Sequence, residues 1–553
     1  MSKTIQGLNL ESQFTTVKIH LDGKNIVDVT KILDKIASFH PIFIKEYIVS
    51  ETELVIRSKL PHIWRESEET FNALSKGDIG YEKAEEFVIE TVIGKRIKSM
   101  STIPILDTAQ SLNIETTPIL DDILLKELSD GYKSTFNRYY VIGSGRGNQI
   151  TGSISSSKDA YIAENIQKDK WSSNIVIQRL NLPIPKWAMI SNESELESLW
   201  SEFEKPVVIK PTGLTGGNGV VVGINTLEQA KKAFLFAIES VNSKERSTWQ
   251  KKIMIQEQVS GEDYRLLVID GKLEIVTKRI PAFTIADGKR TINQLIEDIN
   301  KDPKRDTTNP THILKPIIID EPLKSLLDEQ GYTLESKPKE GTRIELRKVA
   351  SMSQGGITQD CTENVSKEIK YIVETIAQSI HAFTLGVDII CKDISKPLTQ
   401  DNGGILEINT MPESYLNFYP VLGTQRGYVA KTYINALLRE NKSRIFVVIG
   451  QPNNDLPTIL REKNMFGSST ILKNENVGEI KEDAYILNGL LVNHVEEHWK
   501  AVDALKLNSS LDVLILHLRD WNDVEEYGLG FDHINMLYVT KDMNDNKEYM
   551  GIM

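Results

Sequence analysis

The sequence predicts an α/β protein built from several domains. Two observations carry that expectation. The chain has 553 residues, which at roughly 150 residues per domain suggests three or four. From about residue 160 onward, predicted strands and helices alternate, the pattern of α/β units. Before that point the alternation is absent and the segments are short, which predicts a separate α+β domain over residues 1–140.

In the N-terminal stretch, Thr16-Val17-Lys18-Ile19-His20-Leu21 alternates as a strand does. Val29, Ile32, Leu33, Ile36 and Ala37 recur at helical spacing. His62 and Trp64 read as packing residues. Residues 141–160 are rich in Gly, Ser and Asn and read as a loop or domain junction. A helix is expected near 160–180, a strand at Trp187–Ile190, and a helix opening at Ser194, with Ser194 and Glu197 fitting a capping box. A strand over Pro206–Lys210, a glycine loop, a strand over Gly219–Ile224 and a helix over 226–240 follow. Pro303, Pro310 and Pro316 break a polar segment that reads as a mobile connector. Near residue 440 a strand begins in Arg444-Ile445-Phe446-Val447-Val448-Ile449, opening a last α/β piece. No internal repeat or low-complexity tract is present.

Composition narrows the function. There are 65 basic and 77 acidic side chains, a net charge of −12, so general nucleic-acid binding is not expected. No apolar run reaches the ~18–20 residues of a membrane span, and the N-terminus lacks a signal-peptide pattern. Neither membrane nor nucleic acid is expected as a partner, and a cytoplasmic location is. Cys361 and Cys391 are the only cysteines, too few for a disulfide framework or a Cys-based zinc cluster. Chemistry must come from Lys, Arg, Asp, Glu and glycine loops.

Three segments carry such chemistry. The first is Lys210-Pro211-Thr212-Gly213-Leu214-Thr215-Gly216-Gly217-Asn218-Gly219. Glycines let backbone N–H groups approach a polyphosphate closely. Here the loop joins two strands, whereas a Rossmann fingerprint or P-loop opens a helix. A glycine flap over ATP fits; a plain hairpin with a flexible tip is the bland alternative. The second runs from Ile253 to Val268, where a strand meets a polar hinge, Gln256-Glu257-Gln258-Val259, and Asp263 and Arg265 follow. A backbone edge there can read an adenine, and an acid after Gly261 can hold a ribose. Arg265 and Arg279 suit a phosphoryl group or a carboxylate. The third pairs Leu385-Gly386-Val387-Asp388 with Leu406-Glu407-Ile408-Asn409. Asp388, Glu407 and Asn409 are oxygen ligands of the kind Mg²⁺ prefers beside phosphates, and Glu407 and Asn409 share one strand face.

In this order, with Lys170 ahead of them, these elements resemble the ATP-grasp fold. Residues of about 140–440 resemble the ATP-grasp module of cyanophycin synthetases through Asp263-Tyr264-Arg265-Leu266-Leu267-Val268, Lys278-Arg279-Ile280-Pro281-Ala282, Ala286-Asp287-Gly288-Lys289-Arg290-Thr291-Ile292 and Ser353-Gln354-Gly355-Gly356. A similar module occurs in some bifunctional glutathione synthetases. The resemblance implies a core with lid regions over 141–442 and an ATP-dependent carboxylate–amine ligase using Mg²⁺. The carboxylate would belong to an amino acid, dipeptide or cyanophycin-like peptide and would pass through an acyl-phosphate.

Residue by residue, it implies ATP contacts at Lys170, Lys210, Gly213, Gly216, Gly217, Gly219, Gln256 or Glu257, Val259 and Asp263. It implies Mg²⁺ at Asp388, Glu407 and Asn409, catalysis by Arg265 and Arg279, and acceptor contacts at Ser353, Gly355 and Gly356. The family's Asn-Leu-Ser-x-Gly-Gly loop reads Ser351-Met352-Ser353-Gln354-Gly355-Gly356 here, so substrate choice is open. A small-peptide ligase like glutathione synthetase and a non-catalytic scaffold are the rival readings. A homo-oligomer, dimer or tetramer, is expected.

Residues 443–553 resemble a truncated Mur-ligase domain with Rossmann-like character. Val447-Val448-Ile449-Gly450-Gln451-Pro452-Asn453-Asn454-Asp455 stands where that family has a phosphate loop with Lys and Thr. His517-Leu518-Arg519-Asp520-Trp521 occupies the place of a metal-binding Glu. The resemblance implies an inactive domain serving structure or oligomerisation.

Overall fold

A computed structural model of the chain describes residues 3–94, 97, 101–119, 139–214, 219–242, 252–412, 415–439, 443–450, 475–495, 497–540 and 543. The chain divides into two compact units, residues 157–429 and residues 1–156 with 430–553. No helix among the described residues is long and apolar enough to cross a membrane.

The central unit starts with two helices, α1 (Tyr161–Lys168) and α2 (Lys170–Arg179), where one was expected. Asp169 separates them: its carboxylate accepts from the backbone N–H groups of Trp171 and Ser172 and caps α2. Strand β1 (Trp187–Ile190) follows. Helix α3 (Glu193–Trp200) is capped by Asn192, which accepts from the Glu195 N–H at 2.9 Å, while Glu195 Oε2 accepts from the Ser191 N–H at 2.8 Å. The expected Ser194–Glu197 box is therefore two residues late, because Asn192 supplies a strong cap first. Next come β2 (Val207–Pro211), β3 (Val221–Ile224), α4 (Leu227–Asn242) and β4 (Ile253–Glu257). These strands form an antiparallel sheet in the order β3-β2-β4-β1. Val207, Ile209, Ile253 and Ile255 pack on α4 through Ala230, Ala233, Phe234 and Ala237. By strand alternation Lys210 and Gln256 take the opposite face.

A second antiparallel sheet contains β5 (Glu262–Ile269), β6 (Lys272–Ile280), β9 (Ile357–Asp360), β10 (Thr384–Cys391) and β11 (Gly403–Thr410). Between β6 and β9 lie β7 (Phe283–Ile285), α5 (Ile292–Asn300), α6 (Glu321–Glu329) and β8 (Arg343–Glu345). The large sheet has the order β9-β6-β5-β10-β11. Tyr264, Leu266, Val268, Val276, Leu385, Val387 and Ile408 bury one face against helix α7 (Lys367–Ser379) through Ile369, Val373 and Ile376. The alternate residues Asp263, Arg265, Arg279, Asp388, Glu407 and Asn409 therefore share the other face. A bulge sharpens this arrangement. Asp388 pairs with Glu407, whereas Ile389 pairs with Ile405, leaving one extra residue in β11 that re-aims its side chains.

The segment β7 to β8 has its own small core of Ala282, Ala286, Ile292, Ile296, Ile317, Leu323, Leu327, Ile344 and Leu346. The expected mobile connector near 300–316 is fastened into it. Asn300 and Ile317 exchange two hydrogen bonds of 2.8 and 2.9 Å, Arg305 is buried and bonds the Lys315 carbonyl, and Leu314 is buried. Side-chain-to-backbone bonding supplies order that the prolines alone do not reveal.

The other unit contains an antiparallel sheet of Lys3–Ile5, Thr16–His20, Glu53–Arg57 and Glu46–Val49, covered by helix Ile26–Phe39. Val29, Ile32, Leu33 and Ile36 are its buried face, as their spacing predicts. Trp64 is fully buried and donates to the Phe43 carbonyl, and His62 contacts the Tyr140 hydroxyl at 3.2 Å, so both pack. The Gly/Ser-rich stretch expected as a loop instead holds strands Tyr140–Ile142, Gln149–Gly152 and Ser155–Ser156. In the C-terminal part, Val477–Lys481, Val513–Leu518, Arg444–Ile449 and Met536–Val539 form a parallel sheet extended by the hairpin Ala484–Leu487 and Leu490–His494.

Candidate active site

The open faces of the two sheets carry most of the expected site residues. Lys210 on β2 is buried, and its Nζ donates to Gln256 Oε1 at 2.6 Å. Burial and the neighbouring Lys170 ammonium lower its pKa to about 8. Lys170 opens α2. Its Nζ reaches Glu407 Oε2 at 3.3 Å and the Leu214 carbonyl at 3.2 Å. The first lysine thus ties the end of the glycine hairpin to β11. Gly213 and Gly219 flank that hairpin; Gly216 and Gly217 lie outside the described residues.

The two hinge candidates face opposite sides of β4. Gln256 is 2% exposed and faces Lys210. Glu257 points the other way, and its Oε1 accepts from the Glu204 N–H at 3.0 Å. Val259 is half-buried in the link to β5.

On the large sheet the charges form one connected network. Arg265 Nε approaches Asp388 Oδ1 at 2.6 Å, and Arg279 Nη2 contacts both Asp263 Oδ1 at 2.6 Å and Asp388 Oδ2 at 3.0 Å. Gly386 makes this possible, because a Cβ there would lie 2.6 Å from Arg265 Nη1. Asp263, proposed from the sequence as a nucleotide contact, is turned onto Arg279. Burial outweighs the two arginines and raises its carboxyl to about 6. Burial also opposes ionisation of Glu407, but Lys170, Lys210 and Arg265 overcome it and bring that carboxyl down to about 2. Asn409 Nδ2 donates to Glu407 Oε1 at 3.3 Å.

Asp388, Glu407 and Asn409 therefore stand together, two of them directly opposed across β10 and β11. Among the described residues no group of three His, Cys, Asp or Glu side chains forms a metal cluster; the set is two carboxylates and an amide oxygen. That donor set suits Mg²⁺, which keeps several waters and shares phosphate oxygens. Ser353, Gly355 and Gly356 lie beside the end of β6. Ser353 Oγ meets Ser351 Oγ at 2.9 Å, Gly355 packs on Ile317, and Gly356 donates to the Ser351 carbonyl.

Two residues escaped the sequence reading. Gln167 on α1 donates to Asn409 Oδ1 at 3.3 Å, a contact made across sequence that no local motif announces. Asn417 is 4% exposed and accepts from the Thr277 hydroxyl at 2.8 Å. Its Nδ2 and the Nε2 of Gln256 are buried donors without an acceptor among the described residues. Such orphans are costly, and an acceptor-rich ligand such as a nucleotide or carboxylate would satisfy them.

Part of this face lies in a stretch that matches a known family. Residues 168–289 match the family described as phosphoribosylglycinamide synthetase, ATP-grasp (A) domain, so the chain carries an ATP-grasp domain. It is similar to the cyanophycin synthetase of Crocosphaera subtropica, 32% identical over 307 residues, 55% of this chain and 34% of that one. The cyanophycin synthetase of Synechocystis sp. is 30% identical over 413 residues, 74% of this chain and 46% of that one. The glutathione biosynthesis bifunctional protein of Clostridium perfringens is 27% identical over 321 residues, 57% of this chain and 40% of that one. The chain spans less than half the length of these relatives.

Proposed function

We propose that the chain is an ATP-dependent carboxylate–amine ligase with one active site, on the open faces of the two sheets. The observation that carries this reading is the pairing of two lysines at the glycine hairpin with Glu407 and the Arg265–Asp388–Arg279–Asp263 network. Lys170 and Lys210 would hold ATP phosphates. Asp388, Glu407 and Asn409 would hold Mg²⁺, which when bound neutralises charge shared between phosphates. A substrate carboxylate oxygen attacks the γ-phosphorus and ADP leaves. An amine then attacks the acyl-phosphate carbonyl, phosphate leaves and an amide remains. Arg265 and Arg279 neutralise charge on the transferring group, the main requirement of such chemistry.

The similarity to cyanophycin synthetases supports an amino acid, dipeptide or cyanophycin-like peptide as the carboxylate substrate, in a cytoplasmic homo-oligomer. Residues 443–553 are proposed to be catalytically silent. Residues 451–455, which stand where that family has its phosphate loop, lie outside the described residues. At the place of the Mur metal ligand, Arg519 is bound by Asp523 of the short helix that follows it.

Phosphate release with a panel of amino acids and dipeptides, followed by product masses, tests the proposal. A substrate-dependent release with a mass gain of one amide link is expected. Release no faster than the buffer blank for every acceptor would leave the scaffold reading.

A further inference from the structure

A cavity of about 300 Å³ opens in the unit made of residues 1–156 and 430–553, remote in sequence from every residue of the proposed active site. Its wall carries both signs of charge. Lys506 and Glu115 form a 2.9 Å ion pair with side chains only 5% and 4% exposed. Beside that pair, Lys59, Arg65, Asp503 and Asp532 also line the space. Lys59 Nζ makes no hydrogen bond or ion pair with a described residue and lies over the Phe14 ring, 5.9 Å from its centre. Asp532 uses its backbone N–H on Glu115, and Lys506 and Lys59 attract its carboxylate without an ion pair among the described residues. Burial and the adjacent Glu115 carboxylate raise the Asp532 carboxyl to about 7, and burial lowers the Lys59 ammonium.

Two amides sharpen the picture. Gln6 and Gln110 line the cavity, each 7% exposed, and their Oε1 atoms are buried without a donor among the described residues. Their orientation is fixed. Gln6 Nε2 donates to Asp503 at 2.7 Å, and Gln110 Nε2 donates to the Lys59 carbonyl and to Thr116 Oγ1, both at 2.9 Å. Neither amide can flip without facing oxygen with oxygen. The cavity wall thus brings together one carboxylate, one ammonium and two amides whose oxygens have no donor among the described residues.

We propose that this cavity binds a small zwitterion of the α-amino-acid class, its ammonium held by Asp532, Gln6 Oε1 and Gln110 Oε1 and its carboxylate by Lys59. An amine alone leaves Lys59 unpaired, and a carboxylic acid alone leaves the acceptors unpaired. Because Gln110 and Lys59 belong to the N-terminal part and Asp532 to the C-terminal part, the ligand would link the two stretches of chain.

The test is calorimetric titration of the full chain with each of the common amino acids, without nucleotide or Mg²⁺. Asp532→Asn, Lys59→Gln and the active-site variant Asp388→Asn are titrated in parallel, each checked for wild-type circular dichroism. At least one amino acid should bind saturably. Asp532→Asn and Lys59→Gln should each weaken it by about tenfold or more, and Asp388→Asn should leave it unchanged. The matching amine without a carboxylate should bind at least about tenfold more weakly. No saturable binding up to about 10 mM, wild-type binding by Asp532→Asn, equal binding of the bare amine, or loss in Asp388→Asn alone would each overturn the proposal. The Asp388→Asn arm separates this cavity from the proposed active site.

Discussion

Arg279 and Asp388 touch at 3.0 Å although their strands are not neighbours. Strand β5 runs between β6 and β10, and the arginine reaches over it, held midway by Asp263. A single guanidinium thus ties together three strands on the face that would meet the γ-phosphate.

Replacing Arg279 with alanine should therefore act twice. Turnover should fall with a smaller change in KM for ATP, since a group on the transferring phosphoryl matters most in the transition state. Lysine should rescue only in part, lacking the fork that spans Asp263 and Asp388. Melting temperature should also drop, because two buried carboxylates lose a partner, at a cost of roughly 3 kcal/mol. Steady-state kinetics with a thermal melt checks both. Unchanged kcat with raised KM would make Arg279 a ground-state nucleotide contact.

Glu407→Gln should cut ligation by ~10²-fold or more while the protein stays folded. The amide keeps the shape but removes the charge that Lys170 and a bound cation both meet. The check is turnover at saturating Mg²⁺ on protein of confirmed circular dichroism, where near-wild-type rates would remove Glu407 from the metal set.

ATP affinity should fall as pH rises above about 8. In the free protein Lys210 loses its proton near that pH, and a bound phosphate raises its pKa. Binding below 8 meets an ammonium already charged. Binding above 8 must first take up a proton, and the advantage is lost as pH climbs further. Nucleotide titrations from pH 7 to pH 9, with Lys210→Met as the flat control, would show a proton uptake that the variant lacks. Equal slopes in both proteins would contradict the assignment.

Gly261→Ala should destabilise the central unit by about 2–4 kcal/mol. Gly261 has φ +144°, and a Cβ there would lie 2.4 Å from the Cys391 carbonyl carbon. Denaturant melts beside Ser260→Ala, at an exposed position, would separate this from a general hinge effect.

Arg519→Ala should leave ligation per folded molecule unchanged. Its guanidinium is occupied by Asp523 through bonds of 2.7 to 3.2 Å. Kinetic assays at matched folded concentration would reveal any loss, which would give the C-terminal part a role in turnover.

Much of the candidate site was legible because strand periodicity places alternate residues on one face. The shared face of Arg265, Arg279, Asp388, Glu407 and Asn409 follows from that rule, and so do the opposite faces of Gln256 and Glu257. What stayed hidden depends on contacts between distant segments. Gln167 meets Asn409 across 242 residues, and nothing near either announces the other. The same holds for Asp263, whose partner on β6 is set by register. The polar segment near 300–316 misled because its prolines suggest freedom while Asn300 and Arg305 supply anchors. The strands over 140–156 escaped notice because they are short and made of Gly, Ser and Thr, residues that also make turns.

The buried Glu115–Lys506 pair joins residues nearly 400 positions apart within one compact unit. On a ribosome, Glu115 emerges long before Lys506 exists. The first 156 residues lack that counter-charge until the whole central unit, residues 157–429, has been made. The central unit is thus an insertion that sets a delay in vectorial synthesis. A fragment cut after residue 442 would strand Glu115 without its counter-charge, whereas excising residues 157–429 takes out a self-contained body.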